Sequence, residues 1–379
     1  MAEVKKESGR CAGIDVLRGL SIILVVLHHT NTHMGINHVS FARMLPKPLA
    51  RILFWNGATG VTVFFAISGF LITSNLLRRW GTLERVRLGD FYRLRMARIA
   101  PLLLALLAVL SCLHLAHARE FTIHPAQASL PRALLAALTF HSNWLESARG
   151  YLPANWDVLW SLSVEEMFYL FFPLLCVVTR KPRLLTAVLL GFVAVAPFAR
   201  VHYGESLWAE YGYFSCMDAI ALGCLAAMAV PHIPRRDVIL RWMAIAGTAL
   251  MLLVTVVMRT WNLSRICPPL YGWQLDNTAL ALGTSLMLIA LSCRNRAGRW
   301  PTAPLRWFGR NSYEVYLTHM FVVTWGIQLF VARGLSVTWA PMAYLAMLAL
   351  SGGLGAILAR WYSEPLNRRL RRGWQLGRL

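Results

Sequence analysis

Long apolar runs separated by short basic segments recur along the chain of 379 residues. A helix needs roughly 20 apolar residues to cross a bilayer. The runs that approach this length predict membrane spans at approximately 14–33, 57–77, 99–117, 158–178, 184–202, 214–230, 241–259, 275–293, 312–332 and 339–360. The pattern therefore predicts an all-α fold, a polytopic bundle of about ten transmembrane helices.

The basic residues between these runs predict the orientation of the bundle. Most of the 38 lysines and arginines fall in alternate loops and in the two terminal segments. Because basic loops stay on the cytoplasmic side, the asymmetry predicts that both termini are cytoplasmic. Residues 132–144 are apolar but short, and a full crossing there would invert the later loops. We therefore interpret them as a re-entrant half-helix, covered by protein or by a watery cavity.

Composition and charge narrow the class of partner. The chain is 57% hydrophobic and 15% charged, and its net charge is +21. Such a charge would indicate nucleic acid for a soluble protein, but no soluble basic domain accompanies it here. Basic loops, an anionic ligand or anionic lipid head groups account for it. The seven cysteines lack a C-x-x-C motif and mostly fall in apolar runs, so we expect no metal site and no disulfide framework.

The first span, which contains DVLRGLSIILVVLHH, carries ionisable residues inside an apolar helix. Their insertion is costly, so they are candidates for a functional site. Arg18 and His29 are eleven positions apart and share a helix face, whereas His28 points about 100° away and is predicted to pack sideways. Asp15 lies one turn before Arg18 and is predicted to pair with it. A neutral imidazole at His29 suits a general base; the alternatives are a structural histidine and a snorkelling Arg18.

A second group of polar residues opens the span that begins WDVLWSLSVEEMFYLFFP. Ser161, Glu165 and Tyr169 recur at steps of four and therefore share one helix face. A carboxylate on that face could orient an imidazolium or hold a substrate hydroxyl. The alternative is an interfacial cap, in which Trp160 and Tyr169 belong to an aromatic belt and both Glu165 and Glu166 lie in water.

A third group consists of arginines in GDFYRLRMARIAP, directly before the predicted third span. Arg95 and Arg98 are one turn apart, and Arg93 is close to both. Guanidinium groups bind phosphates bidentately, so the cluster predicts a phosphate site on the cytoplasmic side. The alternative is that these arginines only set the orientation of the membrane spans, which explains their positive charge equally well.

Other polar residues lie deeper within the predicted spans. His319 ends the stretch NSYEVYLTH, and Asp218 is an acid that needs a partner or a proton inside the bilayer. Ser68 and Gly69 lie in mid-span, where we interpret both as packing residues that allow close helix contact.

Seven stretches resemble, in order, motifs of the bacterial membrane-bound type-3 acyltransferase family, whose members O-acylate carbohydrates and some secondary metabolites. The resemblance covers nearly the whole chain. The stretches are GIDVLRGLSIILVVLHH, GVTVFFAISGFLI, FYRLRMARIAP, LWSLSVEEMFYLFFP, YFSCMDAIALGCLAA, SYEVYLTH and YSEPLNRR.

The resemblance implies roles for particular residues. The family pattern of arginine, ten residues and histidine falls on Arg18 and His29, so His29 corresponds to the essential histidine. The R-x-x-R element associated with the acyl donor falls on Arg95 and Arg98. The two remaining motifs fall on Trp160, Ser161, Glu165, Tyr313, Tyr316 and His319.

Together these observations predict an acyl-CoA-dependent O-acyltransferase of the bacterial cytoplasmic (inner) membrane, surrounded by membrane lipid. The expected donor is acetyl-CoA or another short acyl-CoA, and the acceptor is a hydroxyl of a carbohydrate or secondary metabolite. Nucleic acid and metal are not expected, and the oligomeric state is open. We expect one membrane domain over 1–379 without a fused soluble domain. The expected site comprises catalytic His29, Arg18 and Glu165, donor-binding Arg93, Arg95 and Arg98, and substrate-binding Asp15, Trp160, Ser161, Tyr169, Tyr313 and His319.

Two other functions fit parts of the pattern. Polar residues that face a midplane cavity also occur in transporters, although no inverted repeat is visible here. A metal-dependent membrane hydrolase could use His29 and His33, which have the i, i+4 spacing of two metal ligands, but no third ligand stands out.

Overall fold

The computed structural model describes residues 10–258, 272–294 and 298–376. The regular elements within these ranges are helices, with short 3-10 and π segments between them. The α-helices, numbered in chain order, are α1 (Ala12–Ile36), α2 (Lys47–Phe54), α3 (Gly57–Trp80), α4 (Leu88–Leu115), α5 (Leu130–Leu138), α6 (Ser142–Arg149), α7 (Leu159–Thr179), α8 (Pro182–Tyr203), α9 (Leu207–Tyr211), α10 (Tyr213–Ala229), α11 (Asp237–Leu252), α12 (Asp276–Arg294), α13 (Ala303–Arg310), α14 (Ser312–Ala332), α15 (Ala340–Leu358) and α16 (Glu364–Leu376).

Ten segments of the described chain are long and apolar enough to cross a membrane, which confirms the predicted all-α class and number of spans. The end of the predicted span 241–259 is outside the described residues. At the third span, α4 begins at Leu88 and not at 99. The arginines at 93–98 therefore belong to the first turns of this helix. Arginine is a good helix former, so the helix extends beyond the apolar run. The cytoplasmic location of the termini stays a prediction.

The segment predicted as one half-helix forms two short helices, α5 and α6. The break lies at Phe140, whose φ of 57° is left-handed. Each helix has fewer than ten residues, so neither is long enough to cross a bilayer. Ala133, Ala136 and Leu145 are buried in one hydrophobic cluster with leucines of α4, so the pair packs against the bundle. Whether it is re-entrant stays a prediction.

Helix α6 carries a carboxyl group that is completely buried, that of Glu146. Burial, and after it the neighbouring carboxyl of Asp157, raises the pKa of Glu146 well above its usual range. The shift follows because a low dielectric disfavours the charged form and a nearby like charge adds to this.

Glycines allow close backbone contact between helices of the bundle. A Cβ atom at Gly69 of α3 would lie 2.0 Å from the carbonyl oxygen of Ile220, so the predicted packing role of this glycine is confirmed. A Cβ atom at Gly309 of α13 would lie 1.8 Å from the carbonyl oxygen of Asp15. Small residues permit such close crossings between membrane helices. These contacts fix α1 and α3, which supply much of the site described below.

Asp218 has the partner that a buried acid requires. The Arg200 guanidinium donates to its carboxylate at 2.9 Å, and the two side chains are 2% and 1% exposed. Arg200 also donates to Thr278 and to the carbonyl oxygens of Ser215 and Gln274. Because these bonds occupy the guanidinium, the pair joins α8, α10 and α12 as a structural unit.

Candidate active site

A cavity of about 650 Å³ lies between α1, α3, α4, α7, α14 and α16. At one end its lining includes four exposed arginines, Arg78, Arg79, Arg98 and Arg371. We call this cavity the arginine-lined cavity. At the other end its wall includes Ser161, Tyr316 and Leu317. A basic end next to a largely apolar interior suits a ligand with an anionic head and a less polar body.

Arg95 is held by two carboxylates. Its Nε atom donates to both carboxylate oxygens of Glu166 at 3.1 Å, and its Nη2 atom donates to Glu165 at 3.2 Å. The guanidinium also lies 3.7 Å from the centre of the Tyr169 ring, in cation–π geometry. The sequence predicts that Arg95 binds phosphate and that Glu166 is either functional or exposed to water. In the structure Glu166 is buried, and Arg95 neutralises it.

Glu165 has a second partner that the sequence did not indicate. Ser68 of α3 donates to the Glu165 carboxylate at 2.7 Å, and both side chains line the cavity. The interpretation of Ser68 as only a packing residue is therefore wrong. Ser161, Glu165 and Tyr169 all line the cavity, so the predicted common helix face is confirmed.

The other two arginines of the predicted phosphate cluster differ from Arg95. Arg98 is exposed and lines the cavity mouth, and it forms no hydrogen bond or ion pair with another residue in the described part of the chain. Arg93 is exposed and lies outside the cavity lining. Of the three, Arg98 has its charge most directly available to a ligand in the cavity.

Arg18 lines the same cavity, but it does not pair with Asp15 as predicted. Its Nε and Nη2 atoms donate to the hydroxyl of Ser312 at 3.1 and 2.8 Å. Asp15 is buried and forms ion pairs with Arg10 at 3.0 Å and Arg310 at 3.6 Å. The predicted pairing over one turn does not form because Ser312 binds Arg18, while Arg10 and Arg310 bind Asp15. Asp15 does not contribute to the cavity lining.

Two histidines meet beyond the inner end of the cavity. The rings of His29 on α1 and His319 on α14 have centroids 5.2 Å apart. His319 is completely buried, and its Nδ1 atom lies 2.8 Å from the carbonyl oxygen of Tyr316. His28 points elsewhere, with its Nδ1 atom 3.0 Å from the carbonyl oxygen of Phe54, so its predicted sideways packing is confirmed. Helical phase therefore distinguished the two adjacent histidines correctly.

A hydroxyl pair separates the cavity from the histidines. Ser161 Oγ and Tyr316 Oη are 2.6 Å apart, and both residues line the cavity. The Tyr316 ring centroid is 6.0 Å from that of His319. Neither His29 nor His319 contributes to the cavity lining. A ligand that enters from the arginine end thus meets this hydroxyl pair before it reaches an imidazole.

The two remaining predicted aromatic residues occupy different environments. Tyr313 lines the cavity, and its hydroxyl donates to the carbonyl oxygen of Ile99 at 3.1 Å. Trp160 is buried and stacks on Tyr211 with centroids 4.0 Å apart, so it supports the cavity wall from behind. The structure thus brings Trp160 close to the cavity without exposing it there.

Sequence reasoning missed residues of the cavity that come from distant parts of the chain. Arg78 and Arg79 end α3, and Arg371 lies in α16, yet all three line the mouth next to Arg98. In the sequence they added only to the positive charge of one loop and of the C-terminal segment, and the positive-inside rule already accounted for that charge.

The sequence of the chain is similar to those of known acyltransferases. A family profile described as an acyltransferase domain matches residues 12–361. O-acetyltransferase OatA of Staphylococcus aureus is 24% identical over 386 residues, which covers 94% of this chain and 57% of the relative. Peptidoglycan O-acetyltransferase OatA of Listeria monocytogenes is 27% identical over 337 residues, which covers 82% of this chain and 49% of the relative. The chain spans about half the length of these relatives. No solved structure matches it.

Proposed function

The chain belongs to the acyltransferase family that this profile describes, and we propose that it is a multi-pass O-acyltransferase of the bacterial cytoplasmic membrane. It would transfer an acetyl or other short acyl group from acyl-CoA to a hydroxyl of a carbohydrate. Residues 1–379 would form one membrane domain, with the arginine end of the cavity facing the cytoplasm, where acyl-CoA is made. The basic loops support this orientation.

The observation that carries the proposal is the arginine-lined cavity. Arg98, with Arg78, Arg79 and Arg371, offers guanidinium groups to the phosphates of coenzyme A. The interior of the cavity would hold the pantetheine arm and direct the thioester towards the pair formed by Ser161 and Tyr316. Arg93 is outside this lining and would act only through the positive charge near the mouth.

Arg18 and Glu165 would then act on the donor inside the cavity. Arg18 and His29 are eleven positions apart, a rise of about 16 Å along the helix, so Arg18 is too far to stabilise an oxyanion formed beside that histidine. It would instead bind the donor between the phosphates and the thioester. Glu165, positioned by Ser68 and Arg95, would accept hydrogen bonds from the amide N–H groups of the pantetheine arm.

His29 would carry the proton transfer. Its imidazole takes the proton from the acceptor hydroxyl while the oxygen forms a bond to the thioester carbonyl carbon. The carbon–sulfur bond then breaks, and coenzyme A leaves as a thiolate that receives the proton from the imidazolium. The Tyr316 hydroxyl, which lies between the cavity and the histidines, is suitably placed to donate to the developing oxyanion.

A variant of this scheme forms an acyl-imidazole at His29 before the acceptor arrives. It would let the acceptor approach from the side opposite the arginines. Incubation with radiolabelled acetyl-CoA in the absence of acceptor, followed by fast quenching, would trap label on the protein in this variant and none in direct transfer.

The acceptor to test first is a soluble peptidoglycan fragment, because one relative is named for that substrate. The assay measures release of free coenzyme A and acylation of the fragment by purified protein. We expect His29→Ala to lower the rate by a factor of about 10² to 10⁴ and His28→Ala to retain most of it, since His28 faces Phe54. A His29→Ala protein with the wild-type rate would remove His29 from the chemistry.

A further inference from the structure

His319 presents a buried basic nitrogen that has no partner. Its Nδ1 atom faces two acceptors, the carbonyl oxygens of Tyr316 at 2.8 Å and Val315 at 3.2 Å. A carbonyl cannot donate, so Nδ1 must carry the proton in the neutral ring. The lone pair is therefore on Nε2. This atom is buried, and no described residue forms a hydrogen bond with it.

The group next to this nitrogen is the ring of His29. The two ring centroids are 5.2 Å apart and the planes are tilted by 51°. This spacing is compatible with a hydrogen bond from a ring N–H group of His29 to His319 Nε2 after rotation of the His29 side chain. No described residue accepts a hydrogen bond from His29, so its tautomer is fixed only if it donates to this nitrogen or to a ligand.

We propose that His319 is the positioning residue of the catalytic base. Its Nδ1 proton is bound to the Tyr316 carbonyl, its Nε2 atom accepts the N–H of His29, and the other nitrogen of His29 is left free to take a proton. The same contact stabilises the imidazolium that forms on His29 during transfer. The proposal rests on the proposed function and deepens it: a base needs a third group that orients it.

In this arrangement His319 orients His29, and the carboxylate of Glu165 cannot do so. Glu165 is engaged by Ser68 and Arg95 at the cavity wall, on the other side of the Ser161–Tyr316 pair. A neutral acceptor also suits the site, because a carboxylate beside His29 would add a buried charge to the bundle. The carbonyl group that binds His319 belongs to Tyr316, whose hydroxyl group is bonded to Ser161. One turn of α14 therefore links His319 to the wall of the cavity.

Two amide substitutions at His319 test the roles of its two ring nitrogens separately. In His319→Asn the side-chain amide reaches the position of Nδ1 and can donate to the Tyr316 carbonyl, but nothing replaces Nε2. In His319→Gln the amide oxygen reaches the position of Nε2 and can accept from His29, while the bond to the carbonyl is lost. A residue that only stabilises the helix would be rescued by Asn, whereas a positioning residue would be rescued by Gln.

The experiment compares kcat and the KM for acetyl-CoA in wild type, His319→Ala, His319→Asn, His319→Gln and the control Thr318→Val. Thr318 is a suitable control because its hydroxyl is bonded only within its own helix, to the Glu314 carbonyl. We expect kcat to fall by about 10²-fold or more in the Ala and Asn variants and by less than about 10-fold in the Gln variant, with KM unchanged. Thermal unfolding in detergent checks that the compared variants are folded.

Two results would overturn the proposal while wild-type activity stands. One is a wild-type kcat in His319→Asn; the other is a His319→Gln kcat as low as that of His319→Ala. If folded wild-type protein neither releases coenzyme A nor binds acetyl-CoA, the proposed function fails instead, and the two failures are thereby distinguished.

Discussion

Arg95 and Arg98 are one turn apart in the same motif, and the structure predicts opposite consequences for their removal. Arg95→Met would leave the buried Glu166 carboxylate without its partner. Removing one member of a buried ion pair costs about 3–5 kcal/mol of unfolding free energy. Because Arg95 is 20% exposed although Glu166 is only 5% exposed, we expect a loss near the lower limit, about 3 kcal/mol.

Arg98→Met is the matched control for that variant. Arg98 is exposed at the cavity mouth and has no bonding partner in the described chain, so its removal should leave the unfolding free energy unchanged. If it binds a phosphate of the donor, the lost charge-assisted hydrogen bonds are worth about 1.5–3 kcal/mol. The affinity for acetyl-CoA should then fall about 10- to 100-fold.

Two measurements separate the variants: reversible unfolding in mixed detergent micelles, and equilibrium binding of acetyl-CoA to folded protein. The double variant Arg95→Met/Glu166→Met removes both charges and should recover at least half of the lost stability. The reasoning would be refuted if Arg95→Met unfolded like wild type and weakened acetyl-CoA binding as much as Arg98→Met. Arg95 would then be a donor contact, and its carboxylate partners would be incidental.

Three further predictions concern the scaffold. Gly309→Val should lower the unfolding temperature and the transferase rate together, because its side chain would overlap the Asp15 carbonyl; wild-type values for both would contradict the close crossing. Arg200→Met should cost about 3–5 kcal/mol in the micelle assay, and adding Asp218→Leu should restore part of it; a purely additive double variant would argue against the pair. Glu146→Gln should stabilise the protein at neutral pH. The raised pKa of Glu146 favours the folded state at low pH. This contribution to the unfolding free energy declines as the pH rises above about 4.5, towards the folded-state pKa. An unchanged pH profile of stability in Glu146→Gln would count against that interpretation.

The features that the sequence predicted well depend on residues close together in the chain. Each span follows from one continuous apolar run, and the phase of a single helix was enough to separate His29 from His28. The errors concern partners from elsewhere. Ser312, which binds Arg18, is 294 residues away from it, and Ser68, which binds Glu165, is 97 residues away. Periodicity within one helix carries no information about which other helix packs on that face.

The separation between the cavity and the histidine pair has a consequence for turnover. In the proposed mechanism, a thioester that enters past the arginines would meet the Ser161–Tyr316 hydrogen bond before His29, so that bond would have to open before proton transfer. A bond between two neutral hydroxyls contributes only about 0.5–1.5 kcal/mol, and donor binding can offset this easily. Substitutions at the mouth should therefore change mainly the KM for the donor, and substitutions at the histidine pair mainly kcat.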